Sequence, residues 1–290
     1  MKNPGFTATS GLMITTLMLA GTALAGDNRS ESRLDVTPDG TVNIANSSGM
    51  VTVHSGPGRQ VVVVSVTRSQ KIEVDQVVTP DKKRVEIVAH AVAGQKPSED
   101  EASVDLDVAI PAGVSLTVNS ATAPISVEGL SGDVIIVASD TGPITVRNTS
   151  KAHVHARSIT APITLNNIVN GHVEIITTGG AVQLNRVAGP LVSVGTTSGN
   201  ITYQGDCSGG GTYTLTTHSG SIDVTLPETA SVDLVARSMS GSVQNDFPLK
   251  DKAHVFFTPK PGSSFTGTSL SGSSSVELES FSGRIRVKKQ

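Results

Sequence analysis

Three histidines and one glutamate form the clearest set of metal-ligand residue types in this 290-residue sequence. His153 and His155 flank Val154, and His172 and Glu174 follow those two histidines at an interval of 19 residues. If strands stack at that interval, the four side chains share one sheet face, about 4.8 Å apart between strands and about 6.6 Å apart along a strand. Imidazoles and a carboxylate at this spacing could bind Zn, Cu or Ni. The alternative is a solvated polar face, because a flat sheet converges ligands poorly.

Catalytic motifs are missing from the sequence. It has no G-x-S-x-G elbow, no H-E-x-x-H motif and no phosphate-binding loop, since the glycine run at 209–211 lacks the Lys that should follow it. A polysaccharide lyase would need clustered acids with a basic residue nearby, but acids such as Glu128, Asp223 and Asp233 are scattered along the chain. The sequence therefore predicts a non-enzymatic protein without a cofactor. A polysaccharide-active enzyme is the more distant alternative.

Composition narrows the fold and the partners. The formal net charge is -3 with 16% charged residues, so no basic field indicates a nucleic-acid partner. Aromatic residues make up 3% of the chain and Trp is absent, so the core must be aliphatic. Such a composition suits many short, similar strands stacked in layers.

The first 25 residues have the features of a secretory signal peptide. Lys2 is followed by an apolar stretch from Leu12 to Leu19 and by the small-residue site Ala23-Leu24-Ala25. The stretch is shorter than the roughly 20 residues that a membrane-spanning helix needs. We therefore expect cleavage after Ala25, no transmembrane span in the mature chain, and an exported protein, either periplasmic or secreted to the cell surface. Cys207 is the single cysteine, so no intramolecular disulfide is expected.

An internal repeat is the strongest signal in the mature chain. Aliphatic residues recur every 19 positions and then twice at 21; they are Ile125, Ile144, Ile163, Val182, Ile201, Ile222 and Val243. The first six each have a second apolar residue two positions later. A second apolar alternation follows about ten residues after each, and there we expect Val134 and Ile136, Val154 and Ala156, and their later equivalents to point inward. Leu130, Thr149, Ile168 and Val187 mark a corner with the same period.

This periodicity predicts an all-β fold of the single-stranded β-helix or solenoid type, with coils of about 19–21 residues over residues 119–290. A β-sandwich also has short strands, but it does not require like residues to return to one column every 19 positions. Residues 26–118 form a less regular N-terminal β region, interpreted either as early coils or as a cap. Within it, Lys96 to Ala102 is expected to be an exposed loop.

Three basic residues alternate in the last strand of the sequence. Arg284, Arg286 and Lys288 should share its outward face. They are interpreted as charges that protect an edge strand against stacking of chains, or alternatively as a stripe for anionic lipid or polysaccharide.

Four further segments have a distinctive sequence: Gly40–Ile44 and Ser48–Val53, the lead-in Ile110–Val114, and the closing segment Phe281–Val287. Together with the repeated strands, they resemble the bacterial putative adhesin family. The resemblance extends from about Leu34 to Val287. It implies an exported β-helix of the cell envelope and supplies no catalytic residues.

Two functional hypotheses follow. The first is an adhesin-like binding module for a protein or polysaccharide of the cell envelope. The second is a structural or self-assembling envelope scaffold.

Overall fold

A computed structural model describes residues 28–208, 210–251 and 262–290. The predicted signal peptide, residues 1–25, and Gly209 of the glycine run lie outside the described residues. In the part of the chain that is described, no helix is long and apolar enough to cross a membrane.

The described chain is built from β-strands in two sheets. In chain order the strands are β1 (Asn28–Asp35), β2 (Thr41–Asn46), β3 (Val51–Ser55), β4 (Gln60–Thr67), β5 (Ile72–Val78), β6 (Arg84–Ala91), β7 (Val104–Ile110), β8 (Ser115–Ser120), β9 (Ile125–Glu128), β10 (Val134–Ser139), β11 (Ile144–Ser150), β12 (His153–Ser158), β13 (Ile163–Val169), β14 (His172–Thr177), β15 (Val182–Ala188), β16 (Leu191–Thr196), β17 (Ile201–Gln204), β18 (Thr212–Thr217), β19 (Ile222–Leu226), β20 (Val232–Ser238), β21 (Val243–Asn245), β22 (Lys250–Asp251), β23 (Ser264–Thr268), β24 (Ser274–Ser280) and β25 (Ile285–Lys289).

The strands lie in two sheets, which we call sheet A and sheet B. Sheet A has the order β1-β4-β7-β3-β9-β11-β13-β15-β17-β19-β25-β21. Sheet B has the order β22-β23-β20-β24-β18-β16-β14-β12-β10-β8-β2-β6-β5. From β8 to β19, each coil contributes one strand to each sheet and pairs in parallel with the coil before it. The structure thus confirms the all-β solenoid.

The predicted aliphatic column forms the spine of sheet A. Ile125, Ile144, Ile163, Val182, Ile201 and Ile222 are direct neighbours in the parallel register. All six are at most 1% exposed, and the predicted corner column from Leu130 to Val187 is also buried. Burial of the same aliphatic type in each coil fixes the register, because a one-residue slip would turn every such side chain to solvent.

In β10, the predicted inward positions were wrong. Ile135 and Val137 are buried, whereas Val134 and Ile136 lie on the outward face. The segment Val134–Val137 is apolar throughout, so alternation alone carries no information there. The interval of 19 residues back from Val154 does lead to Ile135, which is its partner in the ladder.

Both ends of the solenoid depart from sequence order. The last strands of the sequence, β24 and β25, lie between β18 and β20 in sheet B and between β19 and β21 in sheet A. Likewise, β2 lies between β8 and β6, and β3 lies between β9 and β7. The coil of β2 and β3 therefore lies between two other coils, and so does the coil of β24 and β25. Val243 consequently does not stack on Ile222, contrary to the simple repeat.

The N-terminal strands belong to the same two sheets as the later coils. The expected boundary after residue 118 falls inside β8, and β2 pairs with β8 in parallel. Beyond the parallel coils, β4 and β1 extend sheet A and β5 extends sheet B, all by antiparallel pairing. The segment Lys96 to Ala102 forms no strand between β6 and β7, and Glu101 within it pairs with Lys71 at 2.9 Å.

A buried hydroxyl and a glycine recur at the corner that leads from sheet B to sheet A. The hydroxyl accepts a hydrogen bond from the glycine N–H three residues later, as in Thr196 and Gly199 at 2.9 Å. The same bond recurs in Ser139/Gly142, Thr177/Gly180, Thr217/Gly220, Ser238/Gly241 and Ser280/Gly283. These bonds satisfy backbone donors at a point where the chain leaves the ladder.

Candidate functional site

The four predicted ligand residues lie together on the outer face of sheet B. We call them the histidine patch: His153 and His155 on β12, and His172 and Glu174 on β14. The register pairs His153 with His172 and His155 with Glu174. Beneath them, Val154 and Val173 are fully buried, so the alternation holds all four side chains outward.

Within the histidine patch, the side chains form two separate pairs. The rings of His153 and His172 have centroids 4.5 Å apart at an interplanar angle of 36°. Nδ1 of His155 lies 2.8 Å from Oε2 of Glu174, with both side chains at least a third exposed. Each pair exposes polar side-chain atoms that can contact a ligand. Metal binding by the four residues together stays a prediction.

A depression lies directly beside the histidine patch. It has a volume of about 260 Å³ and is lined by Glu174 and Ile176 of β14, Ser193 and Gly195 of β16, and Thr216 of β18. Gly195 lies between Ile176 and Thr216 in the ladder of outward positions. A Cβ added to Gly195 would meet nothing within 4 Å. The missing side chain therefore opens the depression.

The walls of the depression combine three kinds of chemistry. Ile176 is 57% exposed and presents an aliphatic surface. Glu174 supplies a carboxylate acceptor, while Ser193 and Thr216 supply hydroxyls that both donate and accept hydrogen bonds. This depression was not predicted from the sequence. The sequence signal was a glycine, Gly195, at an outward strand position of the repeat. An outward isoleucine, Ile176, lies 19 residues before it.

The basic stripe, formed by Arg284, Arg286 and Lys288, does not lie on an edge strand of the sheet. Its strand, β25, lies inside sheet A between β19 and β21, so the interpretation as edge protection was wrong. Arg284 and Lys288 lie 3.9 and 3.5 Å from carboxylate oxygens of Asp223 on β19. Arg286 contacts Asp246 at 3.3 Å. These cations are balanced by acids on the neighbouring segments, because a coil that is last in the sequence pairs on both sides.

Crystal structures similar to this chain include the following three. The first, a putative cell adhesion protein from Clostridium sporogenes ATCC 15579, has 11% identity and a TM-score of 0.32, with 91% of this chain and 100% of that chain covered. A putative adhesin from Bacteroides fragilis NCTC 9343 has 9% identity and a TM-score of 0.47, with 91% and 97% covered. A putative adhesin from Parabacteroides merdae ATCC 43184 has 8% identity and a TM-score of 0.37, with 89% and 95% covered.

No curated protein matches the chain. One family model, described as Toastrack DUF4097, matches residues 25–288, which is nearly the whole sequence. The match agrees with the resemblance to bacterial putative adhesins. The chain therefore belongs to the Toastrack DUF4097 family.

Proposed function

We propose that the protein is an exported, non-enzymatic binding module of the cell envelope that holds a polysaccharide on the outer face of sheet B. The observation that carries this proposal is the depression at Gly195, which places an exposed Ile176 beside a carboxylate and hydroxyls. The signal peptide expected at residues 1–25 supports export to the periplasm or the cell surface.

The chemistry of the face favours a sugar polymer over a protein segment. Outward hydroxyls of Ser193, Thr214 and Thr216 lie on adjacent strands of sheet B, and strands repeat at about 4.8 Å. A group of closely spaced hydroxyls suits a ligand that carries several hydroxyls of its own. The net charge of -3 favours a neutral or weakly charged polymer.

Ile176 gives the face a point of attachment. The C–H face of a sugar ring can pack on the isoleucine side chain, while Glu174 accepts hydrogen bonds from ring hydroxyls at the rim. The exposed aliphatic surface would be removed from water on binding, which contributes to affinity. A polar face without such a surface would have to exchange hydrogen bonds with water at little net gain.

The test is an array of bacterial surface polysaccharides probed with the mature chain and two variants. Gly195→Thr fills the depression, and we expect it to weaken binding by roughly tenfold or more. Gln183→Thr places the same side chain on an outward position of β15 in sheet A and serves as the matched control. We expect that control to bind like the unmodified chain.

Two outcomes would contradict the proposal. An array on which no polysaccharide is retained overturns the ligand class, and equal binding by both variants overturns the location. Concentration-dependent association in light scattering together with an empty array would support the scaffold hypothesis instead. Retention of a purified envelope protein, reduced by Gly195→Thr, would keep the site and change its ligand to a protein.

A further inference from the structure

A second group of ligand side chains lies at the opposite end of sheet B from its C-terminal strands. Glu73 and Asp75 are on β5, the last strand of that sheet, and His90 is on β6. The antiparallel register places Glu73 opposite His90 and Asp75 opposite Val88, so the three outward side chains share one face.

The three side chains converge. One carboxylate oxygen of Glu73, one of Asp75 and one ring nitrogen of His90 all lie within 4.8 Å of one another. Among residues 28–208, 210–251 and 262–290, this is the one group of three or more such ligands at that spacing. In the closest contact, Nε2 of His90 lies 3.0 Å from Oδ2 of Asp75. Two ligand atoms at about 2.0–2.2 Å from one tetrahedral Zn²⁺ are about 3.3–3.6 Å apart, so a small separation of these two side chains would admit the ion.

The other ring nitrogen of His90 has a backbone partner. Nδ1 lies 3.0 Å from the carbonyl oxygen of Ala91, to which it can donate a hydrogen bond. Metal-bound histidines commonly donate their second ring N–H to a carbonyl or carboxylate, which fixes the tautomer and the ring orientation. The arrangement leaves Nε2 of His90 as the metal-facing nitrogen, on the side of Asp75.

The charge of the group also favours a cation. With His90 deprotonated, as a metal ligand must be, the two carboxylates give the group a charge of -2, which a divalent ion would neutralise. Lys71, which precedes β5, is paired with Glu101 at 2.9 Å and not with these acids. Glu73 lies 3.7 Å from Nδ1 of His90 and is half-exposed, so its carboxylate can rotate toward Nε2 without disturbing the sheet.

We propose that Glu73, Asp75 and His90 form a surface site for a divalent transition metal, with Zn²⁺ as its best-suited ion. One imidazole nitrogen and two carboxylate oxygens are a mixed ligand set that Zn²⁺ accepts in tetrahedral geometry. A water molecule would fill the fourth position. The site is on the edge hairpin, away from the depression at Gly195, and does not depend on the proposed polysaccharide binding.

The experiment is calorimetric titration of the mature chain with Zn²⁺, repeated with His90→Gln and with Asp75→Asn. We expect one ion per chain, and a loss of affinity of roughly tenfold or more in each variant. The matched control is His54→Gln, because His54 on β3 forms a similar pair with Asp107 at 3.1 Å but, within the described part of the chain, belongs to no group of three ligands. Nuclear magnetic resonance of the histidine rings should show zinc shifting the signals of His90.

Three outcomes would overturn the proposal. One is the absence of heat beyond dilution. Another is an equal loss in His54→Gln, which would indicate non-specific binding to exposed histidines. The last is a zinc signal that His90→Gln leaves unchanged and that His153→Ala with His172→Ala removes, which would assign the metal to the histidine patch.

Discussion

Ile285 lies directly beside Ile222 in sheet A, although 63 positions separate the two residues in the sequence. On its other side Ile285 pairs with Val243. The last coil of the chain is thus held between two coils that precede it. Since the first full coil is enclosed in the same way at the other end, neither is a free end of the stack.

This arrangement predicts that the closing coil is essential for the stability of the solenoid. Leu278 of β24 is fully buried, and we expect Leu278→Ala to lower the free energy of unfolding by about 2–5 kcal/mol. Removing residues 270–290 should do more, because β18 and β20 would both lose a partner strand. Urea unfolding followed by circular dichroism measures both effects. A truncated chain that unfolds at the urea concentration of the full chain would contradict this role.

The repeat could be found from the sequence because each coil has the same kind of residue in each column. The spine from Ile125 to Ile222 depends on local spacing alone, and every position in it was predicted as buried. The position of Ile285 could not be predicted that way. Its register is set by a pairing between distant segments, and an aliphatic column has the same composition in whichever order its coils stack.

The two candidate metal sites also differ in whether local spacing alone could predict them. The histidine patch could be predicted because His153 and His172 are one coil apart. The group at Glu73, Asp75 and His90 was missed because β5 was not predicted as a strand, and only the hairpin register brings Glu73 opposite His90. β5 is an edge strand with alternating exposure, and its one buried residue is Ile72.

Two glycines of the same coil provide a matched test of the corner geometry. A Cβ on Gly199 would lie 2.0 Å from the carbonyl oxygen of Gly180, whereas a Cβ on Gly195 would meet nothing within 4 Å. We expect Gly199→Ala to destabilise the protein by roughly 1–3 kcal/mol, since the coils would have to move apart. Gly195→Ala should be neutral or slightly stabilising, because glycine in a strand interior is unfavourable by about 0.5–1 kcal/mol relative to alanine. Thermal unfolding of the two variants compares them, and equal melting temperatures would rule out the close approach at the corner.

Two buried tyrosines, Tyr203 on β17 and Tyr213 on β18, lie in one of the longer coils of the repeat. Tyr203 donates a hydrogen bond to the carbonyl oxygen of Val187 at 2.9 Å and accepts one from the backbone N–H of Cys207 at 3.2 Å. Tyr203→Phe keeps the ring but leaves both buried backbone groups without this partner. We expect a loss of about 1–3 kcal/mol in the free energy of unfolding. Chemical denaturation measures it, and an unchanged midpoint would show that the hydroxyl is dispensable.

Cys207 in the same coil should be inert in the folded protein. Burial raises the pKa of its thiol to about 12, so almost no thiolate is present near pH 8. The thiol is also only 2% exposed. We expect no reaction with a thiol-specific chromogenic reagent until denaturant unfolds the coil, after which one thiol per chain should react. Rapid modification under native conditions would contradict the burial of this side chain.

The ion pairing of His90 predicts a pH dependence that is independent of added metal. The hydrogen bonds to Asp75 and to the carbonyl of Ala91 raise the pKa of His90 above its ordinary value of 6.5. Protonated His90 therefore stabilises the hairpin below pH 6.5, and this contribution is lost as the pH rises through the raised pKa. Glu73 and Asp75 on β5 are the charged groups that face it, while β2 on the other side of β6 places Ala45 next to Val88. We expect Asp75→Asn to lower the pKa of His90, measured by nuclear magnetic resonance titration of its ring in the absence of metal. A titration midpoint that Asp75→Asn leaves unchanged would mean that the aspartate does not hold the proton on the ring.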